Sequence, residues 1–448
     1  MNPPLRHGPW RLQTALVAVC LLASVLACRT ASGAEDEGKG VLSEVKVQWG
    51  GHLRAIGTAA WMEAAAPFPD DDPQYDGQFE GRLKNRIAFA KRWSIETHYE
   101  LVTLGGDGYE ASRRWDALSP ALAGFLATGR MVDDQRRLLD LTHVLNEGNR
   151  HLTYHRIDRL SISHTADWGT LRLGRQALTW GDGLIFNPMD LFNPFAPTAV
   201  QRDYKVGDDM AHLQFPLAPG ELQVLYLPRR DPATGDLEEE AASYAVKYHT
   251  FAGAFEMDVM AARHYADTVL GLGTSGYWGG AAWRINGVYS RLEDGDDRNG
   301  AFQAVANLDY AWVWGGKNYY GLLEFFYNSL GDTPNYKRVA ADSDLLDRLS
   351  RGELFTIGRY YLSGRMQVEL HPLVQFFTTA VVNLADPSGV LQPQLQWDVT
   401  EDLQAILGAQ WCWGGRDTEF GGYEVAAGAL EFTVAPSERV YLWLTYYF

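Results

Sequence analysis

This sequence of 448 residues has few cysteines, and their positions limit their roles. Cys20 and Cys28 lie near the amino terminus, and only Cys412 lies in the rest of the chain. If the amino-terminal segment is removed, no internal disulfide and no cysteine-based metal cluster can form. GxSxG, HExxH, P-loop and CxxC patterns are missing, and the 11 histidines lack metal-ligand spacing. We therefore expect no enzyme activity, no metal and no cofactor.

Basic charge and long apolar runs are also scarce. The chain carries 39 Lys+Arg against 56 Asp+Glu, a net charge of −17, which disfavours nucleic acid as a partner. Beyond the amino terminus no apolar run approaches the roughly 18 residues of a transmembrane helix, so helical spans are excluded. The mean hydropathy of −0.23 is compatible with a membrane barrel, because lipid-facing and lumen-facing residues alternate in its strands and cancel in the average.

The amino terminus has the features of a secretory signal peptide. Arg6 and Arg11 precede an apolar run over residues 12–27, and small residues follow at 31–34. A positive start, an apolar middle and a small-residue exit direct a chain to export.

We expect cleavage after Ala34, which divides the chain into a signal peptide, residues 1–34, and one mature domain, residues 35–448. A lipoprotein-type site at Cys28 is the alternative. The signal holds three arginines and no acidic residue, so the mature chain would carry 36 − 56 = −20.

The last nine residues form a strongly patterned strand. Val440, Leu442, Leu444, Tyr446 and Phe448 occupy alternate positions and therefore form one apolar face. A closing strand of an outer-membrane barrel needs such a face toward lipid. The segment resembles the carboxy-terminal strand that the barrel-assembly machinery of Gram-negative bacteria reads, so this machinery is an expected partner during biogenesis. An edge strand of a soluble β protein is the alternative.

Polar and apolar residues alternate along much of the remaining chain, most clearly at 301–314, 389–399 and 403–413. The polar faces carry Gln, Asn and isolated charges, which suits a wet lumen better than the charged surface of a soluble sandwich. Aromatic residues make up 12% of the chain, with 15 Trp and 22 Tyr, enough for two interfacial girdles.

Short turns alternate with longer connections. Eight short turns are expected near 91–94, 166–168, 217–220, 252–254, 278–280, 315–317, 371–373 and 400–402. Nine longer connections are expected near 65–79, 105–147, 181–206, 231–240, 266, 294–300, 331–351, 385–388 and 414–437. Together they join 18 strands with short periplasmic turns and long outer loops. Two connections, 231–240 and 266, are weakly defined, so 16 strands is the alternative. Either number leaves an aqueous interior.

The connection at 181–206 is the most distinctive loop. It follows a strand that ends near Trp180, and its two Asn-Pro steps, at 187–188 and 193–194, fix the backbone. Its many large apolar residues would be costly in water, so the loop should pack on something. It either folds into the barrel as a constriction or caps the rim. The constriction candidates are Trp180, Asp182, Phe186, Asn187, Asp190, Phe192 and Asn193.

Three short patterns around this loop support a resemblance. They are Gly174-Arg175-Gln176, Trp180-Gly181 and Phe192-Asn193-Pro194, and the segments 323–328 and 407–410 are similar too. The stretch resembles a group of porin-like outer-membrane proteins, loosely akin to alginate-export and phosphate-selective porin-type barrels of Gram-negative bacteria. The resemblance implies an architecture and carries no specific ligand.

Charged residues on the predicted inward faces are the pore-lining candidates. Those of the second and third strands are Arg82, Lys84, Arg86, Glu96, His98 and Glu100. Residues near the turn that joins these strands would be cross-strand neighbours. They would either create a transverse field that orients solutes or form structural ion pairs, each contributing about 0–1 kcal/mol.

A cationic wall is expected beside them. It comprises Arg54, Arg156, Arg159, Arg172 and Arg175, although strict alternation puts Arg172 and Arg175 on opposite faces. Gly174 offers a place for a β-bulge that resets the phase.

The other predicted inward charges are Asp309, Glu324, Arg359, Arg365, Glu369 and Asp398. The long connection at 105–147 contains helix-like runs and is interpreted as an outer lid, a plug or a partner-docking element.

Together these patterns predict an all-β, transmembrane antiparallel up-and-down barrel of about 18 strands in the outer membrane. Its predicted function is a porin-like channel for passive diffusion of small polar or charged solutes. The alternative is an outer-membrane component of an export or assembly system that works with a periplasmic partner.

Overall fold

In the computed structural model the chain forms one closed antiparallel barrel of 18 strands. The first strand pairs with both the second and the last, so the sheet has no free edge. The structure describes residues 45–61, 73–118, 134–192, 194, 204–293, 298–332, 336, 342–427, 430–434, 436 and 438–448. The predicted signal peptide, with Cys20 and Cys28, lies outside the described residues.

The strands of the structure are numbered along the chain. They are β1 Lys46–Trp61, β2 Gln74–Phe89, β3 Trp93–Gly106, β4 Thr142–Glu147, β5 His151–Ala166, β6 Gly169–Gln176, β7 Asp208–Leu217, β8 Gly220–Leu227, β9 Ser243–Ala252, β10 Phe255–His264, β11 Asp267–Trp278, β12 Ala281–Arg291, β13 Gly300–Trp314, β14 Lys317–Asn328, β15 Tyr360–His371, β16 Val374–Asn383, β17 Ser388–Asp398, β18 Leu403–Trp413, β19 Tyr423–Ala427, β20 Leu430–Val434 and β21 Glu438–Tyr447. The helices are α1 Asp107–Leu118 and α2 Ser343–Arg351. No described helix has the length and apolarity to cross a membrane.

Three of the 21 strands are not counted among the 18 that close the barrel. β19 and β20 form a separate hairpin in the last outer loop. β4 pairs with residues 152–156 of β5, on the side where β6 pairs with residues 160–166. β4 therefore continues the wall beyond the end of β6, and this part of the predicted 105–147 connection belongs to the barrel wall.

The predicted strand number of 18 is confirmed, and with it the order of short turns and longer connections. Even the weakly defined connection near residue 266 is present, as a two-residue turn in which Tyr265 and Ala266 have positive φ angles of 49° and 68°. The alternative of 16 strands is wrong because the connection at 231–240 separates the paired strands β8 and β9, and the connection near 266 separates the paired strands β10 and β11.

The outward face of the barrel is apolar. Large side chains such as Leu272 and Leu323 are exposed along its middle. Exposed aromatic residues gather at both ends of the strands, beside the short turns at Trp278, Trp314 and Trp397. The exposed aromatic residues near the opposite ends are Tyr226, Tyr244, Tyr289, Phe302 and Tyr360. Two aromatic girdles around an apolar band are the pattern of a barrel in lipid.

The inward face is polar, as the alternation predicts. In the pairing of β16 with β17, Gln375 lies opposite Gln396, and Phe377 lies opposite Gln394. The intervening Leu395 of β17 is exposed on the outward face. Glutamine side chains therefore line this part of the interior, where Gln367 donates a hydrogen bond to Gln375 at 2.9 Å.

The two faces should respond differently to the same charge. We expect Leu323→Arg, near the middle of the outward face of β14, to lower the free energy of unfolding by about 2–4 kcal/mol, because the guanidinium would enter hydrocarbon. The matched control Gln394→Arg places the same side chain on the inward face and should cost less than about 1 kcal/mol. Urea titration of the barrel in lipid bilayers measures both values. Equal losses would contradict the assignment of the faces.

Candidate functional site: a lumen crossed by one loop

The loop after β6 lies inside the barrel. We call residues 177–192 the inner loop. Its side chains Trp180, Met189 and Phe192 are buried in a cluster with inward residues of β7–β12. Trp180 also donates a hydrogen bond from Nε1 to Oε1 of Gln223 on β8, at 2.7 Å. These three large apolar side chains, which would be costly in water, are thus packed against the inner wall.

The tip of the inner loop is held by one carboxylate. Glu324 on β14 accepts hydrogen bonds from the backbone N–H groups of Leu184, Ile185 and Phe186, at 2.9, 3.1 and 2.6 Å. Asn307 on β13 donates a further bond to the same carboxylate at 3.1 Å. Seven strands separate β6 from β14 in one direction and nine in the other. The loop therefore reaches the wall almost opposite its origin.

Phe186 completes this anchor. Its ring stacks on Phe326 of β14 with centroids 4.4 Å apart and lies 5.4 Å from the ring of Tyr361 on β15. Phe420 of the last outer loop belongs to the same buried cluster. The inner loop and the last outer loop thus share one apolar core on this side of the lumen.

The base of the inner loop is also fixed. Lys205, close before β7, donates from Nζ to Oδ2 of Asp190 at 2.6 Å. Asn187 donates to the carbonyl of Trp180 at 2.9 Å and closes the loop on itself. Gly181 has a φ of +81°, and a Cβ there would lie 2.4 Å from Oδ1 of Asn187, so no larger residue fits.

The structure places the predicted constriction candidates as follows. Trp180, Asp182, Phe186, Asn187, Asp190 and Phe192 all belong to the inner loop and lie within the barrel. Asn193 lies outside the described residues. Of the two expected positions for this loop, inside the barrel or on the rim, residues 180–192 occupy the first.

The inward charges of β1–β5 form a buried network. Arg82 donates to Glu100 and to Asp158, each at 2.9 Å, and lies 3.4 Å from Glu80. Arg156 pairs with the same Glu100. The predicted neighbours are in register, since Arg82, Lys84 and Arg86 lie opposite Glu100, His98 and Glu96. For Arg82 and Glu100 the structural interpretation, an ion pair within the wall, fits best.

Three other inward cations of this wall form no ion pair among the described residues. Among the ion pairs of the described residues, none includes Lys84, Arg86 or Arg172. Lys84 lies 4.2 Å from the ring centre of Tyr204, and Arg172 donates to Oγ of Ser163 at 3.1 Å. Arg54 reaches Oγ1 of Thr445 at 3.2 Å and lies 4.0 Å from Glu80. Positive charge therefore faces the lumen.

Arg175 requires a correction. β5 and β6 pair without a register shift at Gly174, so Arg172 and Arg175 take opposite faces. Arg175 is fully buried, hydrogen-bonded to Asp209 at 3.0 Å and to Asp134 at 3.1 Å. Residues 134–141 cover it from the loop side, and it is not part of the lumen lining. The bulge lies in β5 instead, at Asp158, and brings Arg156 and Arg159 to one face.

The predicted acidic residues of the opposing wall each have a hydrogen-bond or ion-pair partner. Asp309 pairs with Arg284, Glu369 accepts from Asn318 at 2.7 Å, and Asp398 accepts from Gln404 at 2.8 Å. Arg365 lies 5.0 Å from the ring centre of Phe377 on the inward face.

Arg359 also differs from the prediction. It precedes β15 and donates to the carbonyl of Gly331 at 3.0 Å, so it ties an outer loop and does not lie on the strand. Among the described residues, no group of three or more His, Cys, Asp or Glu side chains is placed to hold a metal ion.

One buried acid was not found by sequence reasoning. Glu419, in the last outer loop, accepts hydrogen bonds from the backbone N–H of Ile357 at 2.9 Å, from Tyr361 Oη at 2.6 Å and from Asn383 at 2.8 Å. Its own N–H donates to Asp386 at 2.6 Å. A single glutamate between turn residues gives no sequence signal, because its partners lie 36–62 residues away.

Comparisons with known proteins agree on the fold. No protein-family model and no curated protein matches the sequence. The structure is similar to Pseudomonas aeruginosa OccK11 (OpdR), with 10% identity, a TM-score of 0.51, and coverage of 92% of this chain and 98% of that one. Acinetobacter baumannii OccAB3 has 10% identity, a TM-score of 0.50 and coverages of 90% and 99%. P. aeruginosa OccK5 (OpdH) has 9% identity and a TM-score of 0.50, and the match covers 89% of this chain and 97% of that one.

These neighbours are outer-membrane porins of the Occ/OprD type. The porin-like barrel of the predicted resemblance is thus confirmed, and the alginate-export or phosphate-selective type stays a prediction. At this level of identity the likeness establishes the fold.

The docking of the last outer loop should depend on pH. Burial raises the pKa of Glu419 from its ordinary 4.5 to about 7, so the docked loop holds the proton more tightly than a released loop. Docking is then strongest below pH 4.5 and weakens, by on the order of 3 kcal/mol, as the pH rises through about 7. Hydrogen exchange of residues 417–423, corrected for intrinsic rates, should accelerate over this interval. Glu419→Gln should remove the dependence, and a pH-independent exchange in the unmodified chain would contradict the assignment.

Proposed function

We propose that this protein is an outer-membrane channel through which small polar or charged solutes diffuse passively. Residues 1–34 are removed on export, and the barrel-assembly machinery inserts the mature domain into outer-membrane lipid. Solutes pass through the wet lumen, and the inner loop sets the size limit. The observation that carries the proposal is the anchoring of the loop tip to Glu324 on the far wall.

The anchor is suited to a fixed constriction. Three successive N–H groups converge on one carboxylate, and hydrogen bonds to charged groups contribute about 1.5–3 kcal/mol each. Such bonds, together with the Lys205–Asp190 pair at the base, hold a long loop in one position. A loop that only capped the rim would not need a partner on the inward face of β14.

The charge of the lumen supports weak selection by sign. Along β1–β6 the inward cations Lys84, Arg86 and Arg172 form no ion pair among the described residues, although Glu96 lies opposite Arg86, whereas Asp309 on the opposite wall is paired with Arg284. Unpaired cations on one wall raise the local concentration of anions and release them easily, as conduction requires.

The Glu324 anchor gives a direct test of the size limit. Glu324→Gln replaces one acceptor oxygen with a donor that faces the loop N–H groups, so the tip should leave the wall. In planar bilayers we expect noisy transitions to a larger conductance. Deletion of residues 184–195 should give a unitary conductance that is higher and stable in time.

The matched control for this test is Glu369→Gln. Its carboxylate lies on the neighbouring strand and binds Asn318 rather than the loop, so this variant should keep the original conductance. An unchanged conductance after the deletion would contradict the constriction. Silence of the unmodified protein until a periplasmic partner is added would favour the export alternative.

Selectivity can be tested on the unpaired cations. Lys84→Gln combined with Arg86→Gln removes two positive charges from the lumen, and the ratio of anion to cation permeability should fall roughly twofold or more. Reversal potentials in asymmetric potassium chloride measure this ratio. Lys317→Gln is the control, because Lys317 lies on the outward face at a turn and binds the carbonyl of Leu370. If both variants shift the ratio equally, the lumen charges do not set selectivity.

A further inference from the structure

The outward face of β8–β12 carries two charges in an otherwise uncharged surface. These five strands are described in full, and on their outward faces only Arg263 and Arg291 bear charge. Both side chains are exposed. Neighbouring outward residues, such as Val259, Leu270 and Ile285, are apolar and exposed. Both guanidinium groups therefore face away from the barrel axis, toward the surrounding membrane.

The two arginines are close to one another. Arg263 lies opposite Thr268, and Thr268 lies opposite Arg291, so the three residues form one row across β10, β11 and β12. Two strand spacings of about 4.8 Å put the arginine backbones about 10 Å apart. The ion pairs and hydrogen bonds of the described residues include neither arginine. Both guanidinium groups can therefore turn toward a common partner above Thr268.

Their depth corresponds to the outer boundary of the membrane. Arg263 follows Phe255, at the short-turn end of β10, by 263 − 255 = 8 residues. At about 3.4 Å per residue this is about 27 Å along the strand, or about 21 Å along the barrel axis at a tilt of about 40°. Tyr244 lies directly opposite Arg263 and belongs to the aromatic girdle of that end. The arginines thus lie at the headgroup level on the side of the long loops.

We propose that Arg263 and Arg291 bind a phosphate group of the phosphorylated glycolipid that forms the outer leaflet of the outer membrane. Guanidinium groups bind phosphate through two parallel hydrogen bonds. The Thr268 hydroxyl between them provides a third donor. Tyr244 extends the row on β9, and Tyr289 lies two residues from Arg291 on the same outward face.

The position favours the outer leaflet over any other source of phosphate. β10 and β11 are joined by a turn of only two residues, Tyr265 and Ala266. The connection directly above Arg263 and Thr268 is therefore short, and a large sugar headgroup can approach Arg263 from outside. A phospholipid of the inner leaflet meets the other girdle, about 20 Å away on the same estimate.

The test uses the full-length mature protein in detergent with purified lipid A as the probe. Native mass spectrometry measures binding of lipid A with both phosphates, of dephosphorylated lipid A and of phosphatidylglycerol. We expect Arg263→Gln combined with Arg291→Gln to weaken binding of phosphorylated lipid A by at least about tenfold per arginine, because each loses a charge-assisted pair. Binding of dephosphorylated lipid A should be equally weak in both proteins.

Two further variants separate this outcome from misfolding. Arg263→Lys combined with Arg291→Lys keeps the charges without the paired geometry and should recover part of the affinity. Lys317→Gln removes an outward cation at the opposite end and should bind as the unmodified protein does. Equal binding by the glutamine variant and the unmodified protein would overturn the site. Equal affinity of the unmodified protein for dephosphorylated lipid A or for phosphatidylglycerol would also overturn the assignment to the glycolipid phosphate.

Discussion

Closure of the backbone hydrogen-bond ladder is the constraint on which the rest of this structure depends. In hydrocarbon an unpaired N–H or C=O group costs several kcal/mol, so a sheet can span a membrane only if its first and last strands pair. β1 and β21 do so over ten residue pairs, from His52 with Tyr447 to Trp61 with Glu438. Closure fixes a face for every strand residue, and the alternation of apolar and polar residues follows from it.

Closure also explains why an apolar loop is found inside a wet cylinder. An 18-stranded barrel is too wide for wall side chains to fill. The inner loop reduces that space by bringing its own apolar core, with Trp180, Met189 and Phe192 against the wall. Its backbone at the tip still needs acceptors, and Glu324 supplies them as a buried carboxylate that receives four N–H donors. Burying this charge is tolerable because it is so fully hydrogen-bonded.

The features that sequence reasoning found are those encoded by local periodicity. The strand number, the faces and the pairing of Arg82 with Glu100 follow from a repeat of two and from short turns, which need only neighbouring residues. The anchor on Glu324 does not, since its partners are about 140 residues away and backbone N–H groups have no sequence signature. Arg175 was misplaced for a related reason. The segment that buries it, with Asp134, comes from a long connection whose path has no periodicity.

The distribution of charge on the inner wall combines two different roles. A buried arginine is stable only when carboxylates surround it, and Arg82 with three of them adds rigidity to the wall but presents little net charge to a solute. Lys84 and Arg86, one and two inward positions nearer the turn, form no ion pair among the described residues, although Glu96 lies opposite Arg86, and they keep more of their field. The same strand therefore provides structural cations at mid-depth and free cations toward the periplasmic end. A permeating anion would meet attraction without a deep binding site, which is the condition for fast release.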